Sequence, residues 1–370
     1  MSGNVNSYAI WSKGSGTATV NGGLAASKAA TQASQSTGLL PNFLSIAGSS
    51  RQSDLDVTWL ISINPGGFSP TPGAGGSTNE NRQAFMTFGD KSWGSVKVGK
   101  DLGIYASDAI LNDMTLLGVG ASGGAGGSTG TTTTLGRIGV GYQYADWKQQ
   151  IAYTTPNFNG LQATAGITQA WNSTTSLLGG VTGTSASWAS NGTGGASPAY
   201  EGKASYSFAA NDVTGKIWVS GITQKVDGAA SGQNNAYSGD IGANIKVAGF
   251  DVTGYYYSGE GTGLEFMLKD GYSLDHFKRS VDGGYVQVKY TLPTKTVAGI
   301  SWGQSNLDRA GNDTVGGNLV KTNEMWTAGL YHPLTKSVNL VAEYSNLQSS
   351  NQANQQNTNN IGSLGAILFF

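Results

Sequence analysis

Cysteine is absent from the 370 residues, and histidine occurs only twice. Without cysteine there is no disulfide scaffold, no thiolate-ligated zinc and no thiol nucleophile. Two histidines argue against a multi-histidine metal centre, and no metal or cofactor is expected. Charge is scarce as well. Asp, Glu, Lys and Arg make up 12% of the chain, about half the ~25% of an ordinary soluble domain. The 21 Lys+Arg and 22 Asp+Glu leave a net charge of −1. That speaks against nucleic acid as a partner, because backbone binding needs a cationic surplus to displace counterions. No apolar run reaches the ~18 residues of a membrane-spanning helix.

What the chain does contain is glycine, 57 residues of it, with 16 Tyr and 9 Trp. Few charges, much glycine, many aromatics and no long apolar run fit a transmembrane β-barrel. Its outer face touches lipid and its inner face touches water, so hydrophobicity alternates and averages to a middling value. The N-terminus has neither a basic stretch nor an apolar stretch. The expectation is that a leader has been replaced by the initiating methionine.

Period-two segments dominate. Ala298, Ile300 and Trp302 share one face, against Gly299, Ser301 and Gly303. Val286, Val288 and Tyr290 oppose Gln287 and Lys289; Leu340, Ala342 and Tyr344 oppose Asn339 and Glu343; Ile217 and Val219 oppose Lys216 and Trp218. Such alternation marks half-buried strands. Lys216, Lys289 and Glu343 all fall on the polar face and are expected on the pore wall, since a midplane charge facing lipid costs about 2–4 kcal/mol. Helical periodicity is nearly absent; the alanine-rich residues 24–33 are expected to coil briefly inside a loop.

The connections alternate between short and long. Asn159-Gly160, Asn211-Asp212, Ala248-Gly249 and residues 293–296 and 335–337 suit tight hairpins. Residues 20–42, 65–81, 172–199, 228–236, 264–281, 304–318 and 348–360 are long and polar, most of them rich in glycine. Short inner turns and long external loops are the pattern of an outer-membrane barrel, and counting between them gives about sixteen strands, an even number. No domain boundary is visible, so residues 1–370 are expected to form one barrel. The glycine-rich residues 120–135 look like a linker with hairpins on either side.

Several segments resemble Gram-negative general porins, in texture those of β-proteobacteria. Tyr153, Thr154, Thr155, Pro156, Asn157 and Phe158 before Asn159-Gly160 resemble the Y-x-T/S-P-x-F-x-G hairpin. Residues 94–101 are similar to the G-x-V-x-L-G-R strand that leads into the porin constriction loop, 331–344 to the Y-x-L-S-K-R-T hairpin, and 79–86 to the strand before the constriction strand. The alternating residues 360–370, ending on Phe370, resemble the signal read by the barrel-assembly machinery.

The resemblance implies an all-β, antiparallel transmembrane barrel in the outer membrane whose third external loop, residues 102–144, folds inward. It also implies a homotrimer in contact with lipopolysaccharide and passive diffusion of small hydrophilic solutes and ions. Family constrictions oppose an acidic loop to basic wall residues. The acidic candidates here are Asp101, Asp108 and Asp113; the basic ones are Arg51, Arg82 and Lys100. Lys100 stands where the family has arginine, and the enteric P-E-F-G-G loop motif is missing. Simple alternation puts Lys100 with Val96 and Val98 on the lipid face, so it reaches the pore only if the strand bulges at Gly99. Two other readings share the fold: a channel specific for small organic or aromatic acids, and a non-conducting structural barrel. An enzyme is not expected, because neither His276 nor His332 has a local nucleophile motif and no G-x-S-x-G elbow occurs.

Overall fold

A computed structural model describes residues 1–28, 31–65, 79–121, 133–171, 197–265, 268–311, 313 and 316–370. Sixteen antiparallel barrel strands are present among them. They are β1 (Ser2–Ser15), β2 in two arms (Gln32–Ser36 and Phe43–Gln52), β3 (Leu55–Pro65) and β4 in two arms (Asn79–Glu80 and Ala84–Asp90). Next come β5 (Gly94–Leu102), β6 (Trp147–Thr154), β7 (Leu161–Thr168), β8 (Ala199–Ala210), β9 (Val213–Lys225) and β10 (Asn235–Val247). The last six are β11 (Phe250–Glu260), β12 (Ser280–Thr291), β13 (Val297–Leu307), β14 (Val320–Pro333), β15 (Val338–Asn351) and β16 (Gln356–Phe369). Each strand pairs with its sequence neighbours, and β1 pairs with β16 from Asn4 opposite Phe369 to Ser15 opposite Thr358. The sheet therefore has no free edge. Hydrocarbon demands this, because unpaired backbone N–H and C=O groups find no water there.

Phe370 seals the seam. Its carbonyl accepts from the Gly3 N–H at 2.9 Å and its N–H donates to the Gly3 carbonyl at 3.1 Å. Its ring is exposed on the outside with the side chains of Leu364 and Leu368.

The two faces sort as the alternation predicts. Trp11, Ile61, Ile217, Ile241, Ile300 and Leu364 are exposed outside, while Asn6, Ser12, Ser238, Gln287, Ser301 and Ser345 are buried on the lumen side. Two sequence expectations need correction. Residues 24–28 contain no α-helix and residues 32–33 belong to β2, whose pairing with β1 overrides their alanine content. The long connection at 348–360 shrinks to residues 352–355, because β15 and β16 continue their ladder through polar residues to Ser350 opposite Gln356. In the 255–257 tyrosine run only Tyr256 points outward; Tyr255 and Tyr257 are buried inside. Most of the loops at 65–81 and 172–199, and most of residues 120–135, lie outside the described residues.

Two irregularities matter for the lumen. Between its arms, β2 breaks at residues 37–42. Asn6 holds that break: its N–H donates to Asn42 Oδ1 at 2.7 Å, its Nδ2 to the Leu40 carbonyl at 3.0 Å, and its Oδ1 accepts from Gly38 N–H at 2.9 Å. β4 breaks at residues 81–83, where Gln83 N–H donates to Ser62 Oγ at 3.1 Å.

The outward assignment is testable at Ile300, which is 57% exposed between Val288 and Ala328. Ile300→Arg is expected to cost about 2–4 kcal/mol when the protein is unfolded by urea from lipid vesicles. A loss below ~0.5 kcal/mol, the usual size of a neutral surface change, would mean that this face does not meet hydrocarbon.

Candidate functional site

Residues 103–146 connect β5 to β6, and the described ones, 103–121 and 133–146, fold into the lumen. They carry a short α-helix, α1 (Ser107–Asn112), and a 3₁₀ turn (Met114–Leu117). A loop inside a barrel must pair its backbone with something, and here wall side chains supply the partners. Glu201 of β8 accepts from the N–H groups of Ile104 at 2.7 Å and Tyr105 at 2.8 Å. Glu343 of β15 accepts from Val119 N–H at 2.7 Å and Gly120 N–H at 3.0 Å. One wall carboxylate thus holds the start of the loop and another holds the segment after the 3₁₀ turn. Charge-assisted bonds of this kind are roughly twice as strong as neutral ones.

Each carboxylate is itself held. Glu201 pairs with Lys148 Nζ at 2.6 Å and accepts from Thr168 Oγ1 at 2.7 Å; the Lys148 ammonium also lies 3.9 Å from the Trp171 ring centre. Glu343 accepts from the Tyr331 hydroxyl at 2.6 Å. Gly118 lets the backbone come this close, since a Cβ there would lie 2.0 Å from Glu343 Oε1.

Between the two clamps, β12 supplies neutral partners. The Tyr285 hydroxyl donates to the Ala109 carbonyl at 2.8 Å, and the Gln287 amide accepts from Met114 N–H at 2.9 Å while donating to the Asn112 carbonyl at 2.5 Å. Tyr105, Ala109 and Tyr142 of the loop pack with Trp218, Tyr255 and Tyr285 of the wall in one buried apolar cluster.

Asp108, at the start of α1, pairs with Lys203 of β8 at 2.9 Å and with Lys216 of β9. Burial works to raise its pKa, but the two ammonium groups together outweigh it, so the net displacement is downward and the carboxylate stays ionised. Asp113 caps the 3₁₀ turn. It accepts from Thr115 N–H at 2.9 Å, from Thr115 Oγ1 at 2.7 Å and from the Tyr142 hydroxyl at 2.9 Å. Both acidic loop candidates are thus bonded within the loop or to the β8–β9 wall.

The opposite flank of the loop is different. Between it and the wall of β2–β4 lies a cavity of about 210 Å³. Arg82 lines it, paired with Glu80 at 2.9 Å and lying 5.8 Å from the Trp147 ring centre. The break in β2 touches the loop at one corner of this gap, where Leu39 N–H donates to the Gly118 carbonyl at 2.8 Å.

The remaining candidates fall elsewhere. Asp101 faces inward, accepts from Gln83 Nε2 at 2.9 Å and pairs with Lys97. Lys100 does not share that face. It stands opposite Ala84 and Gln149, next in register to outward Met86 and Ile151, and donates to the Asn81 carbonyl at 2.9 Å. Gly99 has a positive φ of 123°, yet the ladder runs through it without a slip. Arg51 sits at the tight-turn end, bridging Asp56 at 2.9 Å and Asp90 at 3.0 Å. Lys289 faces inward and pairs with Asp251 at 3.1 Å.

Sequence reasoning missed Glu201, Lys148 and Arg137. Period two alone places Glu201 on the polar face with Lys203, but nothing local says that it receives loop N–H groups. Arg137 is fully buried within the loop and donates to the Met325 carbonyl at 3.2 Å; its surrounding glycines and threonines read as flexible filler.

A family model for Gram-negative porins matches residues 3–352. The chain belongs to the Gram-negative porin family. With the closed sixteen-strand barrel, this makes it an outer-membrane diffusion channel. No curated protein sequence matches it. Solved structures similar to this porin include the outer membrane channel DcaP of Acinetobacter baumannii, at 14% identity and TM-score 0.72, covering 100% of this chain and 96% of that one. The anion-selective porin from Comamonas acidovorans is similar at 14% identity and TM-score 0.64, covering 100% and 98%. A trimer form of Vibrio cholerae OmpT is similar at 11% identity and TM-score 0.57, covering 100% and 98%.

Two outcomes follow for the loop of this porin. Glu343→Ala leaves two backbone donors and a tyrosine hydroxyl without their acceptor, each worth about 1.5–3 kcal/mol when bonded to charge. The expected result is faster protease cleavage within residues 103–146 while the barrel still migrates as folded on unheated gels; Glu343→Gln, which keeps one of the two acceptor oxygens, is expected to lie between. The second outcome concerns acid. A carboxyl whose pKa is lowered on folding stabilises the fold above its unfolded pKa and loses that contribution as pH falls through the folded value. Loop protection, read by hydrogen exchange, should therefore decline as the pH drops below the ordinary aspartate range, and Asp108→Asn should remove part of that decline.

Proposed function

We propose that solutes cross this porin through the gap between the inward loop and the β2–β4 wall. The observation that carries the reading is the asymmetry of the loop's attachments. Glu201, Lys203, Lys216, Tyr285, Gln287 and Glu343, all on β8–β15, hold one flank. The flank toward β2–β4 leaves a cavity of about 210 Å³. In this reading Arg82 lines the path, with Gln83 beside it holding Asp101, whereas Asp108, Asp113, Lys216 and Glu343 fix the loop. Arg51 and Lys289 belong to the tight-turn half of the lumen wall, and Lys100 stays outside the path.

Passage is passive and involves no bond chemistry, so we assign no catalytic residue and no cofactor. The whole chain acts as one barrel, assembles as a homotrimer and touches lipopolysaccharide with its outer face; the trimer form of a structurally similar barrel supports that assembly. The exposed terminal Phe370 is the feature through which the assembly machinery recognises the chain.

Single-channel recording in a planar bilayer under a salt gradient tests this reading. Conductance steps in groups of three are expected, with a reversal potential that reports ion preference. Robust insertion without conductance would overturn the diffusion path and favour a structural barrel.

A further inference from the structure

Of the charges that the family sets against each other across its neck, the acidic loop residues are absent from this gap, and the basic wall candidate that lines it, Arg82, is paired with Glu80. Asp108 turns away to Lys203 and Lys216, and Asp113 is spent on Thr115 and Tyr142. The loop side of the gap carries Leu111, Leu116 and Leu135; the wall side carries Leu39, Leu40 and Phe43 beside Asn64, Gln83 and the Arg82–Glu80 pair. Leu111 is 58% exposed, an apolar side chain held out into open space by a loop that is tied down elsewhere. The charged groups of the lining, Arg82 and Glu80, are paired with each other at 2.9 Å, and the remaining polar lining is mainly amide and hydroxyl.

We infer that this neck is a hydrophobic constriction. It admits uncharged solutes with an apolar body and one hydrogen-bonding group, phenols and small aromatic alcohols, in preference to hydrated ions and polyols of similar size. The inference rests on the reading of the gap as the solute path. A hydrated ion entering an apolar constriction must shed water without replacement ligands, and such constrictions gate by dewetting. A phenol loses little hydration there; its ring covers leucine surface, while its hydroxyl can reach the amides of Asn64 or Gln83. An Arg82–Glu80 pair with no net charge offers no large reward to an anion or a cation.

The test uses the full-length trimer in a planar bilayer in potassium chloride. Folding of each variant is checked by its heat-dependent gel migration. Leu111→Asn is expected to raise single-channel conductance by about twofold or more, because a polar side chain keeps the constriction wet. Phenol is expected to reduce the current of the unaltered protein reversibly, glycerol at the same concentration is not, and the phenol effect should weaken in Leu111→Asn. Equal conductance in both proteins with no phenol block would overturn the hydrophobic neck and leave the porin reading intact. Equal block of both proteins by phenol would also overturn it, since the site would then not involve Leu111. Benzoate blocking at lower concentration than phenol would overturn the uncharged solute class. Insertion of both proteins with no conductance in either would overturn the diffusion path, and this inference with it.

Discussion

In hydrocarbon, a backbone N–H or C=O without a partner costs several kcal/mol, and no solvent is available to take the partner's place. That demand closes this chain into a ring of sixteen strands and explains why its ends meet, Gly3 against Phe370. The same demand, moved into the lumen, governs the inward loop. Its backbone is irregular and has no sheet to join, so the wall must supply acceptors and donors. Glu201 and Glu343 do this, each for two consecutive loop N–H groups. The neck is therefore positioned by side chains of β8–β15 rather than by the loop's own propensities.

The placement has an electrostatic cost that the molecule offsets locally. Carboxylates taken out of water need cations and donors at bonding distance. Glu201 has Lys148 and Thr168, Asp108 has Lys203 and Lys216, and Glu343 has the Tyr331 hydroxyl besides its two N–H donors. Charges committed to holding the loop are not available to line the gap on its other side. The scarcity of charge in the whole chain, 12%, makes that a real allocation. The flank toward β2–β4 receives leucines and a single internally paired arginine. An apolar neck is the consequence of how few charges there are and where the loop needs them.

Much of the architecture was legible in residue order because a barrel strand has only two faces. Alternation put Lys216, Lys289 and Glu343 inside and Ile217, Val286 and Leu340 outside, and the pleat leaves no third option. It also put Lys100 outside, where it lies opposite Gln149 rather than in the lumen. Strand ends were less legible. β15 and β16 run on through Ser, Asn and Gln beyond the apolar band, since above the hydrocarbon a ladder needs hydrogen bonds but no apolar face. The run 255–257 illustrates the same limit from the other side. Composition says aromatic three times, while the pleat sends Tyr255 and Tyr257 into the loop-facing cluster and Tyr256 to the exterior.

Sequence by itself determined the barrel, its strand number and its inner and outer faces, because these follow from period two and from connection length, while the family resemblance was carried by the motifs in residues 79–101, 153–160 and 331–344. The fate of each charge in the lumen was decided only by tertiary structure. Asp108 and Asp113 sit five residues apart in one loop, yet one pairs with two wall lysines and the other caps a 3₁₀ turn. Glu201 and Glu343 lie far apart in the chain on strands that look alike, yet both grip the same loop. Those pairings depend on which wall position the loop reaches as it crosses the lumen, a distance in space that no local spacing encodes.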